Sequence, residues 1–130
     1  MTHTQIAAIY AVCCALILAA LSVRCIRMRF KHKAPLGHGG NEEMERAMRV
    51  HANAAEHIPI VLIMIVLLAA LQASVLFIHL AGIALVVGRA LHAFGFSRIS
   101  GPSRGRFFGQ VLTFTAYLIA IVGLIFSILR

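Results

Sequence analysis

The chain has 130 residues, 61% of them hydrophobic, and a mean hydropathy of +0.92, whereas soluble domains sit nearer about 45–50% apolar. Twelve lysines and arginines against four glutamates give a net charge of +8, but the basic residues gather at the ends of apolar runs, a membrane pattern that argues against a nucleic-acid partner. Three cysteines, Cys13, Cys14 and Cys25, show no C-x-x-C spacing, so neither a disulfide framework nor a metal site is expected.

Four apolar spans are predicted at about 4–27, 43–73, 75–96 and 106–129, each near the roughly 20 residues needed to cross a ~30 Å hydrocarbon core. Together they make one transmembrane domain, 1–130, of all-α class, an antiparallel four-helix bundle. The first span has nothing basic before Ile6 and five basic residues, Arg24, Arg27, Arg29, Lys31 and Lys33, after Val23. That is the reverse of a signal peptide and predicts a retained span. The loop that follows carries Pro35 and the run Gly37-His38-Gly39-Gly40, which a helix cannot continue cheaply. Gln72 to Ser74 leave only a tight turn between the second and third spans, and Ser97 to Gly105 form a Gly/Ser/Pro/Arg loop before the fourth. Nearly all arginines and lysines lie at the first and third connections or the helix ends beside them, with Arg130 alone at the other end. The bias predicts those connections in the cytoplasm and both termini outside.

The second span is unusual for a membrane helix. All four acidic residues of the chain, Glu42, Glu43, Glu45 and Glu56, stand at its start or in its first half. Arg46, Arg49, Asn53 and Glu56 fall at i, i+3, i+7 and i+10, within an arc of roughly 80° on a helix. Polar residues carried into a bilayer are costly and by default mark a site. On the third span Arg89 and His92 lie at i and i+3, with Phe96 one turn on; on the fourth, Arg106, Gln110, Thr113 and Tyr117 form another stripe. In an antiparallel bundle these stripes meet at the basic end.

Blander readings account for part of this. Arginines at helix ends snorkel to headgroups, and that suits Arg24, Arg27, Arg29 and Arg98. A structural ion pair between Glu56 and an arginine is another possibility, as are simple interhelical hydrogen bonds from Gln110, Thr113 and Tyr117. Gly101, Gly105 and Gly109 at four-residue spacing suggest close packing. The cluster as a whole offers fixed cations, one carboxylate and an amide. It suits a small zwitterion with extra carboxylates, because guanidinium forks hold carboxylates bidentately and a carboxylate takes an ammonium. A nearby arginine also favours a thiolate, each unit of lowered thiol pKa corresponding to roughly 1.4 kcal/mol. Glutathione combines two carboxylates, an amine and a thiol.

The run Glu45-Arg46-x-x-Arg49-x-His51-x-Asn53-x-x-Glu56, followed by Pro59 and by Gly88-Arg89-x-x-His92, resembles the MAPEG family, the membrane-associated proteins in eicosanoid and glutathione metabolism. The likeness covers roughly Val23 to Tyr117 and is greatest to a short bacterial inner-membrane branch. It implies a homotrimer of four-helix bundles in a bacterial inner membrane, with glutathione as co-substrate bound between subunits near the cytoplasmic face. Carried over residue by residue, it implies ligand contacts from Arg24 or Arg27, Arg49, Asn53, Glu56, Arg89 and His92. Arg104 or Arg106 becomes the cation that stabilises the thiolate. Two positions depart from the eicosanoid-type pattern: Ala52 replaces a frequent ligand arginine, and Phe96 a tyrosine.

The expected function is a membrane glutathione transferase or peroxidase acting on a lipophilic electrophile dissolved in the bilayer. Its expected partners are the lipid bilayer, that small-molecule substrate and further copies of itself. The alternatives are a non-catalytic small-ligand or lipid-binding protein and a small proton-coupled exporter using Glu56. A haem protein ligated by His57 and His92 is a remoter reading.

Overall fold

A computed structural model describes residues 1–98 and 103–130; Gly101 and Pro102 of the expected third connection, and the Arg98 side chain, lie outside them. The described residues form four helices, α1 (His3–His32), α2 (Glu42–Ala70), α3 (Val75–Arg98) and α4 (Arg104–Leu129). All four are long and apolar enough to cross a membrane. Large apolar side chains such as Leu16, Ile63, Leu76, Phe114 and Leu118 stand on the outside of the bundle, where a soluble protein would place charge.

Local chemistry fixes the helix ends. Thr2 opens α1 with a capping box, accepting from Gln5 N at 3.2 Å while its own amide donates to Gln5 Oε1 at 2.8 Å. Asn41 caps α2 through Met44 N at 3.0 Å, and Glu42, Glu43 and Glu45 follow in the first turn, where the helix dipole favours negative charge. Ser103 caps α4 through Arg106 N. At 30 residues, α1 is about 45 Å long at 1.5 Å per residue, so it overshoots the bilayer core and continues past Arg27 to His32. It closes on Lys33 in the left-handed conformation, with Ala34 N bonded to Arg29 O. Gln72 (φ 51) closes α2 in the same way, with Ala73 N bonded to Leu68 O. Both are Schellman geometries, in which the reversed residue satisfies the last carbonyls.

The helices do not surround a common axis evenly. α3 packs on all three others, α2 likewise, while α1 and α4 make no contact among the described residues. The tightest seam is α3 against α4, where backbone meets backbone. A Cβ on Gly109 would lie 2.6 Å from Gly88 O and overlap His92 N, and one on Gly95 would lie 2.5 Å from Arg106 N. Gly105 and Gly109 therefore belong to the contact that their spacing suggests. This close approach sets Arg106 beside His92 and Phe96. Between α2 and its neighbours the core is aliphatic, with Val50, Ile58, Val61, Ile65 and Leu68 buried against Ile78, Leu85 and Ala120.

Candidate functional site

Arg89 lies nine residues before the end of α3, about 14 Å along the helix, and is only 1% exposed. A guanidinium has five donors and no acceptor, and in this interior each arm meets a neutral oxygen. Its Nε donates to Thr113 Oγ1 at 2.8 Å, Nη1 to Asn53 Oδ1 at 2.8 Å and Nη2 to Gln110 Oε1 at 3.1 Å. One arginine of α3 thereby ties α2 to α4. Among the described residues no carboxylate pairs with it.

That arrangement orients what lies next to it. Because Arg89 can only donate, the Gln110 carbonyl must face it, which turns the Gln110 amide toward His57 Nε2 at 3.3 Å. His57 Nδ1 stands 3.4 Å from the Tyr117 hydroxyl, and that hydroxyl reaches the His57 carbonyl at 3.5 Å. A neutral imidazole with its proton on Nδ1 satisfies this whole chain. Gln110, Thr113 and Tyr117 are thus the interhelical hydrogen-bonding residues that their spacing of three and four allowed, and two of them hold the buried cation.

Around this framework lies a cavity of about 510 Å³ lined by Asn53, His92, Ser103, Arg106, Phe107 and Gln110. A smaller one of about 160 Å³, lined by Arg49, Ala52, Asn53, Glu56, Phe96 and Arg106, adjoins it. Asn53 and Arg106 border both. Arg106 Cζ sits 4.1 Å above the Phe96 ring, and the same ring meets His92 edge-on at 5.7 Å. Phe96, which lacks the hydroxyl of a tyrosine, serves as the seat of the arginine through its π face. The larger cavity is within the range of about 300–1,000 Å³ typical of small-molecule sites.

The residues expected at the site therefore separate into groups. Asn53, Arg89, His92 and Arg106 meet in one place, with Arg49 and Glu56 on its rim. Arg49 is exposed and paired with Glu45 at 3.4 Å. Glu56 is exposed on the protomer surface and forms no ion pair among the described residues, so neither belongs to the interior. Arg104 is two residues from Arg106 and so points to another side of α4. It lines a neighbouring cavity of about 490 Å³ with Ser103, Phe107 and Phe108, of which Ser103 and Phe107 also border the larger cavity. Arg24 donates to the Ser97 hydroxyl and, at 3.4 Å, to the Ser97 carbonyl at the end of α3, while Arg27 is exposed. Neither lines a cavity with Asn53 in the same protomer. Gln110, Ser103 and Phe107 are lining residues that the sequence reading assigned no ligand role. Only the α4 stripe pointed toward Gln110.

The site has a definite electrostatic character. Arg89 and Arg106 contribute two cations, Arg106 from the first turn of α4, where the helix dipole is positive, and the one carboxylate stands at the edge. The arrangement favours an anion in the cavity and a positive group near Glu56.

Comparison with known sequences agrees with this architecture. The sequence pattern described as "MAPEG family" matches residues 7–126. Two proteins called "Inner membrane protein YecN", from Escherichia coli strain K12 and from Escherichia coli O6:H1, are each 36% identical to this chain over 92 residues. The aligned part covers 71% of this chain and 70% of each relative.

Proposed function

For a chain that belongs to the MAPEG family, we propose a glutathione-dependent activity in a bacterial inner membrane, conjugating the tripeptide through its sulfur to a lipophilic electrophile or reducing that electrophile. The observation that carries this reading is Arg89: a fully buried cation held by three neutral acceptors, two of which, Asn53 and Gln110, line a cavity with Arg106. Desolvating a charge with no counter-charge is expensive, and an anionic ligand in the adjoining cavity offsets that cost. Glutathione supplies two carboxylates for the arginines and an ammonium for Glu56.

In the proposed reaction Arg106 stabilises the thiolate, and the Arg89 framework holds Asn53 and Gln110 in fixed positions around the ligand. The thiolate attacks the electrophile, a sulfur–carbon bond forms, and the displaced group leaves with its electron pair. In the peroxidase variant the sulfur attacks one peroxide oxygen, the O–O bond breaks, the alkoxide takes a proton and leaves as an alcohol, and a second glutathione displaces the oxygen held by sulfur as water to give the disulfide. Preorganised positive charge lowers the barrier in either case. Arg104 has no place beside the thiol in this scheme, and Arg24 and Arg27 reach the ligand only from a neighbouring copy in a homotrimer. Both connections rich in arginine then face the cytoplasm, where glutathione is supplied.

Calorimetric titration of the detergent-solubilised protein with glutathione tests the reading. Saturable binding that weakens about tenfold or more in Glu56→Gln and in Asn53→Ala, as expected on losing a charged or buried hydrogen-bond partner, supports it. Absence of binding to the wild type would overturn it and leave a non-catalytic or exporter role.

A further inference from the structure

The first connection carries a second cavity that has no part in the proposed chemistry. It measures about 440 Å³ and is lined by Ile26, Arg29, Phe30, Lys33 and Pro35. The first four stand at i, i+3, i+4 and i+7, one stripe of α1 and its closing residue. This stripe is turned roughly 140° from Arg24 and Arg27, at 100° per residue. Its composition is mixed along the helix: Ile26 is deepest, Arg29 and Phe30 come next, and Lys33 is nearest the water.

The cavity is built and held in shape. Arg29 Nη1 donates to three carbonyls of the returning loop, Ala34 O at 3.1 Å, Pro35 O at 3.2 Å and Gly37 O at 3.3 Å. Ala34 is buried beneath that loop, with the Gly39 backbone close against its Cβ. The loop folds back over the helix end and places Pro35 opposite Ile26. Yet Phe30 remains 80% exposed and Leu36 88% exposed. Large apolar side chains held outward next to Arg29 and Lys33 at a bilayer surface call for a partner with an apolar body and a negative head.

We propose that this groove is a binding site for an anionic phospholipid of the surrounding bilayer, the headgroup phosphate on Lys33 and the exposed edge of Arg29 and the upper acyl chain along Ile26 and Phe30. Charge complementarity selects the occupant, since both cations of the groove lack an acidic partner among its lining residues. Lys31 offers a built-in control: it lies on another face of α1 and is engaged by Glu43 at 2.7 Å. The proposal is independent of any glutathione chemistry.

The test is native mass spectrometry of the full-length protein released from detergent with equimolar phosphatidylglycerol and phosphatidylcholine of matched chains. Lys33 has a φ of 49°, so Lys33→Gly removes the amine while keeping a residue that adopts this turn freely. The expected result is preferential retention of phosphatidylglycerol, reduced about fivefold in Lys33→Gly, the effect of roughly one surface cation, and unchanged in Lys31→Ala. Equal retention of the two lipids by the wild type would overturn the site. So would an equal loss in Lys31→Ala, which would reduce the effect to net charge, or displacement of the lipid by inorganic phosphate alone.

Discussion

The two ends of the bundle both contain polar side chains that cross between helices, and they differ in whether the polar groups complete one another. At the end holding the α2–α3 turn, the Tyr10 hydroxyl meets His79 Nδ1 at 2.6 Å, with the Tyr10 ring packed on Gly82. Neither partner is a guanidinium or a carboxylate, and the pair closes on itself. At the basic end Arg89 is equally well hydrogen-bonded, but its charge is left uncompensated and Glu56 stands apart from it. Polar contacts in membrane helices are ordinarily structural. The balance of charge, more than the count of hydrogen bonds, distinguishes a site from a clamp.

Four substitutions sharpen that contrast. The largest effect is expected for Arg89→Lys, which keeps the charge but cannot reach Thr113, Asn53 and Gln110 together from one ammonium. Losing two charge-assisted bonds is expected to cost about 3 kcal/mol, read as a lowered thermal midpoint in detergent, together with weaker glutathione binding. An unchanged midpoint would mean that the three-way tie does not hold α2 to α4. Gly109→Ala comes next, at about 2 kcal/mol, since its Cβ meets the α3 backbone; proteolysis rates would report a loosened seam. Tyr10→Phe removes one hydrogen bond and is expected to cost about 1 kcal/mol with no change in ligand binding. A loss of binding in Tyr10→Phe would break the distinction between the two ends. Smallest is Gln72→Gly, expected to raise stability by about 0.5–1 kcal/mol by relieving a left-handed non-glycine residue, measurable as a small upward shift in the same melting curves.

Much of the architecture is legible in the sequence because hydropathy and charge act over whole helices. The four long apolar helices follow from runs of apolar residues, and the polar stripes of α2, α3 and α4 follow from spacing alone. Properties that depend on how helices pair were beyond reach. Which of Arg106 and Arg104 faces the cavity of Asn53 depends on the α3–α4 glycine contact, which sets the rotation of α4. That Glu56 ends on the protomer surface, not inside with Asn53, depends on which side of α2 meets α3. Nor does any periodicity reveal that α1 and α4 are not neighbouring helices among the described residues, which separates Arg24 and Arg27 from the cavity within one chain. The left-handed closures at Lys33 and Gln72 were equally invisible, because glycine, the residue that usually marks them, is absent from both positions.

The proposed chemistry is tested most directly by the ultraviolet absorbance of glutathione thiolate on adding glutathione to purified protein at neutral pH. A stoichiometric thiolate signal is expected in the wild type, retained in Arg104→Ala and lost in Arg106→Ala. No signal in the wild type, or loss in Arg104→Ala with retention in Arg106→Ala, would contradict it.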